Sequence, residues 1–144
     1  MIDLLDINVW LSLADENHQH HRVAREYWEG QSAPVLNFCR VTMLGFLRLS
    51  THAKAMGGHP FTPCEAWSAY RNFTNLPEVG FLPESESLEE IFANLSEKDD
   101  FAQALWTDAY LAALAIGSRR RLVSFDRDFS RFKSLDFLHL GGSK

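Results

Sequence analysis

Cysteine is scarce in this sequence. Cys39 and Cys64 are the only two among 144 residues, and they form no CxxC pair. This spacing excludes a disulfide framework and fits a reducing compartment. We therefore expect both side chains to be packed as small apolar groups, with no redox role.

Long apolar runs are also absent. No run approaches about 18 apolar residues, the length of a membrane-spanning helix. The first residues lack a basic segment, and Asp3 and Asp6 interrupt their apolar stretch, so a signal peptide is not expected. Together these absences predict a soluble, cytoplasmic protein with no membrane partner.

The chain has no excess of positive charge. Its 14 Lys and Arg against 19 Asp and Glu give a formal net charge of -5. A polyanionic partner must therefore meet a local basic patch or a bound cation rather than the whole surface. No GxSxG, P-loop or GxGxxG motif occurs, so acyl transfer, NTP binding and dinucleotide chemistry have no support.

The sequence does contain short apolar runs that alternate with helical patterns. With 46% hydrophobic residues, residues 1–144 can bury one core, which predicts a single domain. The runs predict strands at 2–5, 33–38, 79–84, 122–125 and 135–140. Helical patterns cover 9–14, 20–30, 40–51, 63–73, 87–95 and 99–121. This alternation predicts an α/β fold, an α/β/α sandwich with a mostly parallel central sheet.

Asp108 is the most informative residue of the longest helical pattern. A helical wheel places it between Leu105 and Ala112 on the apolar face, so we expect it to be buried. A buried carboxylate needs a cation, a metal ion or a hydrogen-bonded network. A structural salt bridge with an arginine is the alternative.

Three other aspartates follow predicted strands. Asp6 follows the first strand, and Asp126 and Asp128 follow the strand at 122–125. Ligands of open α/β sheets bind outside the carboxyl ends of the strands, and crowded carboxylates there are typical of an Mg²⁺ or Mn²⁺ site. The alternatives are a helix cap for Asp6 and a surface loop for Asp128. Asp3, within the strand, is interpreted as a solvated or edge residue.

The segments LLDINVWL, WTDAYLAALA and LVSFDRDF resemble the acidic motifs of PIN-domain nucleases, in particular VapC-type toxin ribonucleases. The resemblance covers nearly the whole chain and implies a PIN-like fold. It implies that Asp6, Asp108 and Asp126 are catalytic and metal-binding acids and that Asp128 joins the metal site. It also implies that Asn8 and Ser124 support the acids by hydrogen bonds.

The chain departs from the family at Gly45, where a glutamate is usual. A site of three carboxylates can still hold one Mg²⁺, and Asp128 or water can fill the gap. Arg48, one helical turn beyond Gly45, either contacts phosphate or is a surface charge.

Basic residues flank Asp126 in sequence. Arg119, Arg120, Arg121 and Arg127 form a candidate RNA-binding track, and the alternative is that the arginine triplet complements the end of a helix. His18, His20 and His21 lack zinc-site spacing, so they are interpreted as surface histidines.

These features lead to one hypothesis and one alternative. The resemblance implies an Mg²⁺-dependent endoribonuclease toxin that hydrolyses RNA, is neutralised by a cognate antitoxin protein, and forms a homodimer. The alternative is a catalytically impaired PIN-like module that binds RNA or a protein, with Gly45 marking the lost acid.

Overall fold

The computed structural model describes residues 2–31 and 34–141. Five strands alternate with helices along these residues. The strands are β1 Ile2–Leu5, β2 Val35–Phe38, β3 Val79–Phe81, β4 Arg121–Ser124 and β5 Phe137–His139. The α-helices are α1 Ile7–Ala14, α2 His21–Glu29, α3 Arg40–Ser50, α4 Pro63–Thr74, α5 Leu88–Ser96 and α6 Trp106–Ser118. Ala33, the first residue of the second predicted strand, lies outside the described residues.

The strands form one sheet in the order β3-β2-β1-β4-β5, and every pair of neighbours is parallel. This confirms the predicted α/β fold with a parallel central sheet. The first strand lies in the middle, between β2 and β4. Successive residues of β1 therefore face two covered sides of the sheet.

Helices cover both faces of this sheet. Leu5 and Val123 pack in one buried cluster with residues of α1, α2 and α3, while Leu4 and Leu122 pack in a second cluster with α6. Because alternate residues of a strand point to opposite faces, the two clusters lie on opposite sides. The sandwich thus has α1 to α4 on one side and α5 and α6 on the other.

The longest predicted helix, 99–121, is too long at both ends. A 3-10 turn at Gln103–Leu105 precedes α6, and Arg119 ends the helix in a left-handed conformation with φ of 55°. Arg121 already belongs to β4. The arginine triplet is therefore a helix-to-strand connection, not the last helical turn.

Asp3 is buried, so its interpretation as a solvated or edge residue is wrong. Only 1% of the residue is exposed, because β1 is the central strand. The Arg121 guanidinium donates to both carboxylate oxygens, at 3.0 Å from Nε and 2.9 Å from Nη2, and the Tyr27 hydroxyl also donates to Asp3. The sheet register brings Asp3 opposite Arg121 and so supplies the cation.

The structure also bears on membrane-spanning helices and on the two cysteines. No helix among the described residues is long and apolar enough to cross a membrane. Cys39 is buried as expected, and burial raises the pKa of its thiol. Cys64 is exposed near the start of α4, so the prediction that it is packed is wrong.

Asp3→Asn should destabilise the fold. The substitution keeps the volume but leaves the Arg121 guanidinium, 19% exposed at its side chain, without its counter-charge. We expect the free energy of unfolding in urea to fall by about 3 kcal/mol. Asp99→Asn, at an exposed position, is the control. A loss within about 0.5 kcal/mol for Asp3→Asn would contradict the structural role of this ion pair.

Candidate metal centre

The carboxyl ends of β1 and β4 lie side by side at one edge of the sheet. Leu5 pairs with Val123, and the Asp6 amide donates to the Val123 carbonyl oxygen at 2.9 Å. Asp6 and Ser124 are therefore neighbours, although 118 positions separate them in sequence.

Asp6 is a buried carboxylate at the start of α1. Its Oδ1 accepts from the Ile7 amide at 2.7 Å, and its Oδ2 accepts from the Ser124 hydroxyl at 2.7 Å. Burial raises the pKa of Asp6, while these two hydrogen bonds act in the opposite direction and the Asp126 charge adds to the rise. Asp6 thus caps α1, as the alternative interpretation held, and also faces the acidic cluster.

Asn8 and Ser124 connect the two acidic segments. The Asn8 amide nitrogen donates to Ser124 Oγ at 3.2 Å, and Asn8 Oδ1 accepts from the Phe125 amide at 3.3 Å. Ser124 Oγ also accepts from the Asp126 amide at 2.9 Å. This network fixes the Asp6 carboxylate relative to the backbone of Asp126.

Asp108 lies in the first turn of α6 and is half-buried rather than fully buried as expected. Its pKa is raised to about 6, first by desolvation and then by the charges of Asp6, Asp126 and Asp128, while Arg131 opposes the shift. The helical wheel missed the partial exposure because α6 begins only two residues earlier. Four carboxylates from three distant segments therefore act on one another at this edge.

Asp126 and Asp128 flank the start of a 3-10 helix, Arg127–Arg131. Asp126 Oδ1 accepts from the Asp128 amide at 2.9 Å. Asp128 is exposed, and its carboxylate lies 4.0 Å from Arg131 Nη2. Its exposure agrees with the surface-loop alternative, and its effect on Asp108 makes it part of the cluster.

The α3 helix, Arg40–Ser50, contains no carboxylate. At Gly45 a Cβ atom would lie 2.1 Å from Cδ1 and 2.8 Å from Cγ1 of Ile7. The Ile7 side chain of α1 therefore occupies the space that a side chain at position 45 needs. The close packing of α1 on α3 accounts for glycine here.

The predicted RNA-binding arginines do not form one track. Arg119, Arg120 and Arg121 lie where β4 begins, at the edge opposite the acids, and Arg121 is paired with Asp3. Arg48 is exposed and lines a groove between α3 and α4 with Leu44 and Trp67. Arg127 directly follows Asp126 and is exposed. Of this set, only Arg127 adjoins the acids.

The donor chemistry fits a hard divalent cation. Within residues 2–31 and 34–141, no group of three or more His, Cys, Asp or Glu side chains is close enough together to hold a metal ion by itself. Mg²⁺ does not need one, since it commonly takes one or two carboxylates and completes its shell with water. The contrast with Asp3 supports this fit. The Asp3 carboxylate is paired with the Arg121 guanidinium. The Asp6 carboxylate, directly after the same strand, accepts only hydrogen bonds from Ile7 and Ser124.

Comparison with known proteins agrees with this geometry. The model of the PIN domain matches residues 4–135. The chain belongs to the PIN-domain family. It is 35% identical over 138 residues to Ribonuclease VapC41 of Mycobacterium tuberculosis, covering 92% of this chain and 94% of that protein. This confirms the resemblance to VapC-type PIN proteins.

Solved structures support the PIN fold. The sarcin-ricin loop cleaving toxin VapC20 of M. tuberculosis superposes with a TM-score of 0.69 at 18% identity, over 93% of this chain and 97% of that one. VapBC-1 from nontypeable Haemophilus influenzae also gives 0.69 at 18% identity, over 97% and 98%. At these identities the match concerns the fold.

Sequence reasoning did not select several polar groups near the acids. Arg131 lowers the pKa of Asp108 and lies 4.0 Å from the Asp128 carboxylate, but it was not among the predicted site residues. His18, His20 and His21 are partly buried and hydrogen-bonded through backbone or ring atoms, so they are surface histidines that are packed rather than freely exposed. Only tertiary packing of the loop before α2 could reveal this.

Gly45→Ala should lower the free energy of unfolding by about 1 kcal/mol, because Ile7 must leave its rotamer. At an unrestricted position in a helix, Gly→Ala raises the free energy of unfolding by about 1 kcal/mol. In an Ile7→Ala background the sign should reverse, and urea unfolding of the four proteins measures this coupling. Additive effects of the two substitutions would show that Ile7 does not restrict position 45.

The charge of Asp108 should destabilise the metal-free protein at high pH. Its pKa is raised in the folded state, so the folded protein binds the proton more tightly than the unfolded chain does. Its contribution is most favourable below pH 4 and is lost as the pH rises through about 6. In EDTA, Asp108→Asn should therefore stabilise the protein more at pH 8 than at pH 4.5. Equal shifts in unfolding temperature at the two pH values would rule this out, and Asp99→Asn is the control.

Proposed function

We propose that this chain is a metal-dependent endoribonuclease, a VapC-type toxin that hydrolyses RNA. The observation that carries the proposal is the gathering of four carboxylates at the carboxyl ends of β1 and β4, where burial and the charges of the other three raise the pKa of Asp108. Its 35% identity to a ribonuclease over 92% of the chain supports the substrate class. We take residues 1–144 to act as a single PIN unit.

Asp6, Asp108 and Asp126 would hold the cation, with Asp128 as the further acid in place of the one that α3 lacks. Bound Mg²⁺ or Mn²⁺ supplies a Lewis acid that offsets phosphodiester charge and lowers the pKa of water. At neutral pH Asp108 is largely ionised, since its pKa is about 6, and it is thus able to bind a cation.

The other residues of the site position these acids. The Ser124 hydroxyl donates to Asp6 Oδ2, so that oxygen keeps a fixed direction. Asn8 donates to Ser124 and accepts from the Phe125 amide, which ties β1 to the segment carrying Asp126. Ordered acids reduce the cost of arranging the site around a bound phosphate.

Arg127 and Arg131 are the cations we assign to RNA phosphates. Both belong to the 3-10 helix that begins directly after Asp126. The chain as a whole carries a net charge of -5, so attraction to RNA depends on such local groups. Arg48 and the triplet Arg119, Arg120 and Arg121 are left out because they lie away from the acids.

A cognate antitoxin is the proposed protein partner. Similar folds occur in VapBC2 from Rickettsia felis and in a toxin–antitoxin complex from Klebsiella pneumoniae. An antitoxin that supplied a cation or covered the acids would compete with metal and RNA. The homodimer and the cytoplasmic location stay predictions.

The alternative, a catalytically impaired binding module, has one observation in its favour. The α3 helix offers no acid, and Ile7 fills the space beside Gly45. Such a module would bind RNA or a protein without cutting.

Cleavage of a total RNA pool by purified protein, with Mg²⁺ or Mn²⁺ and with EDTA, tests the proposal. We expect metal-dependent fragments and a loss of about 100-fold or more in rate for Asp108→Asn, because several kcal/mol of charge stabilisation disappear. Asp108→Asn, purified in the same way, also controls for contaminating nuclease, and Asp99→Asn should cleave like wild type. If folded, antitoxin-free protein never cuts in metal, the binding module is favoured instead.

A further inference from the structure

A cavity of about 620 Å³ adjoins the acidic cluster. Six of its lining residues define what we call the aromatic pocket: Gln19, His20, Phe125, Asp126, Arg127 and His139. Val23 of α2 also lines it, and Gln19 and His20 directly precede that helix. The proposed function assigns no role to the side chains of His20, Phe125 and His139.

Two aromatic rings form one side of this pocket. The His20 and Phe125 rings stack with centroids 4.3 Å apart and an interplanar angle of 15°. Both side chains are only partly buried, so the stack borders the cavity rather than the core. Partly exposed flat rings are the surface on which unpaired nucleobases stack.

Polar groups line the rest of the pocket. His139 Nε2 lies 3.1 Å from the Phe125 carbonyl oxygen, so this nitrogen carries the proton and donates. A Cβ atom at Gly141 would lie 2.8 Å from the same nitrogen, so the chain passes close against the ring. His139 is thereby held in place, and Gln19 adds an amide that can both donate and accept.

The position of the pocket relates it to the reacting phosphate. Asp126, an acid that we assign to the metal site, lies in its wall, and Arg127 follows directly. A nucleotide whose phosphate lies at Asp126 would have its base within reach of the His20 and Phe125 rings. Such a pocket offers rings for stacking, polar groups that can hydrogen-bond to the edge of a base, and a cation for the phosphate. These groups suit one nucleotide of a single strand.

We propose that the aromatic pocket binds one unpaired nucleobase next to the cleaved phosphodiester and thereby sets a base preference at that position. This inference rests on the proposed function, since it needs the acids to be the cutting site. His20 supplies the stacking surface, and His139 and Gln19 contact the edge of the base.

Sequencing of cleavage ends from a randomised single-stranded RNA tests this subsite. In His20→Ala, we expect kcat/KM to fall by about 10-fold, since base stacking on a side chain is worth that much. The base preference beside the cut should also weaken, because the base is no longer held against His139 and Gln19. The loss should lie mainly in KM. His20→Tyr keeps a flat ring and should restore much of the preference, which a purely structural role of His20 would not predict.

His59→Ala, at an exposed histidine outside the pocket, is the matched control and should keep the wild-type preference. Unfolding curves check that each variant folds. An unchanged preference in His20→Ala, or an equal change in His59→Ala, would overturn the subsite while cleavage itself still supported the ribonuclease.

Binding separates the two proposals if wild type does not cut. In an Asp108→Asn background, fluorescence anisotropy with the same randomised RNA measures affinity without cleavage. A loss of about 10-fold on adding His20→Ala, reversed by His20→Tyr, would support the base pocket even if the ribonuclease proposal failed. Equal affinity with and without His20→Ala would overturn the pocket.

Discussion

The central position of β1 is the constraint on which the rest of this molecule depends. Pairing with β2 on one side and β4 on the other buries Asp3, Leu4 and Leu5 and leaves Asp6 at the carboxyl end of the strand. A buried carboxylate needs compensation. At Asp3 the fold provides it with Arg121 and Tyr27, whereas at Asp6 it provides only hydrogen-bond donors. One strand thus carries a structural ion pair at Asp3 and is followed, at Asp6, by a carboxylate suited to an external cation.

The four aspartates lie in a partly hydrogen-bonded arrangement in which like charges are close together. Ser124 and Asn8 hold the Asp6 carboxylate and the Asp126 backbone in one hydrogen-bond network, so these two segments keep a fixed position relative to each other. Burial and the charges of the other three carboxylates together raise the pKa of Asp108. Such an arrangement costs stability when the site is empty of cation, and functional sites commonly carry this kind of cost.

The contact between α1 and α3 leaves no room for an acidic side chain at position 45 of α3. Ile7 follows Asp6 directly and lies against Gly45, so the start of α1 both presents one carboxylate and fills the space beside α3. Arg131 lies 4.0 Å from Asp128 and lowers the pKa of Asp108, but that pKa stays above its usual value. The set of acids is therefore Asp6, Asp108, Asp126 and Asp128, all from outside α3.

The sequence by itself determined the alternation of buried strands and helices, and hence the parallel sheet, because apolar periodicity is a local property of the chain. It also determined which aspartates follow strands, since Asp6 and Asp126 end apolar runs. It could not determine which strand is central, so Asp3 was misread. Nor could it determine that Arg119, Arg120 and Arg121 lie at the opposite edge from the acids, or that His20 stacks on Phe125. These are contacts between segments far apart in sequence, and only the tertiary register of β1 with β4 and the packing of α2 decide them.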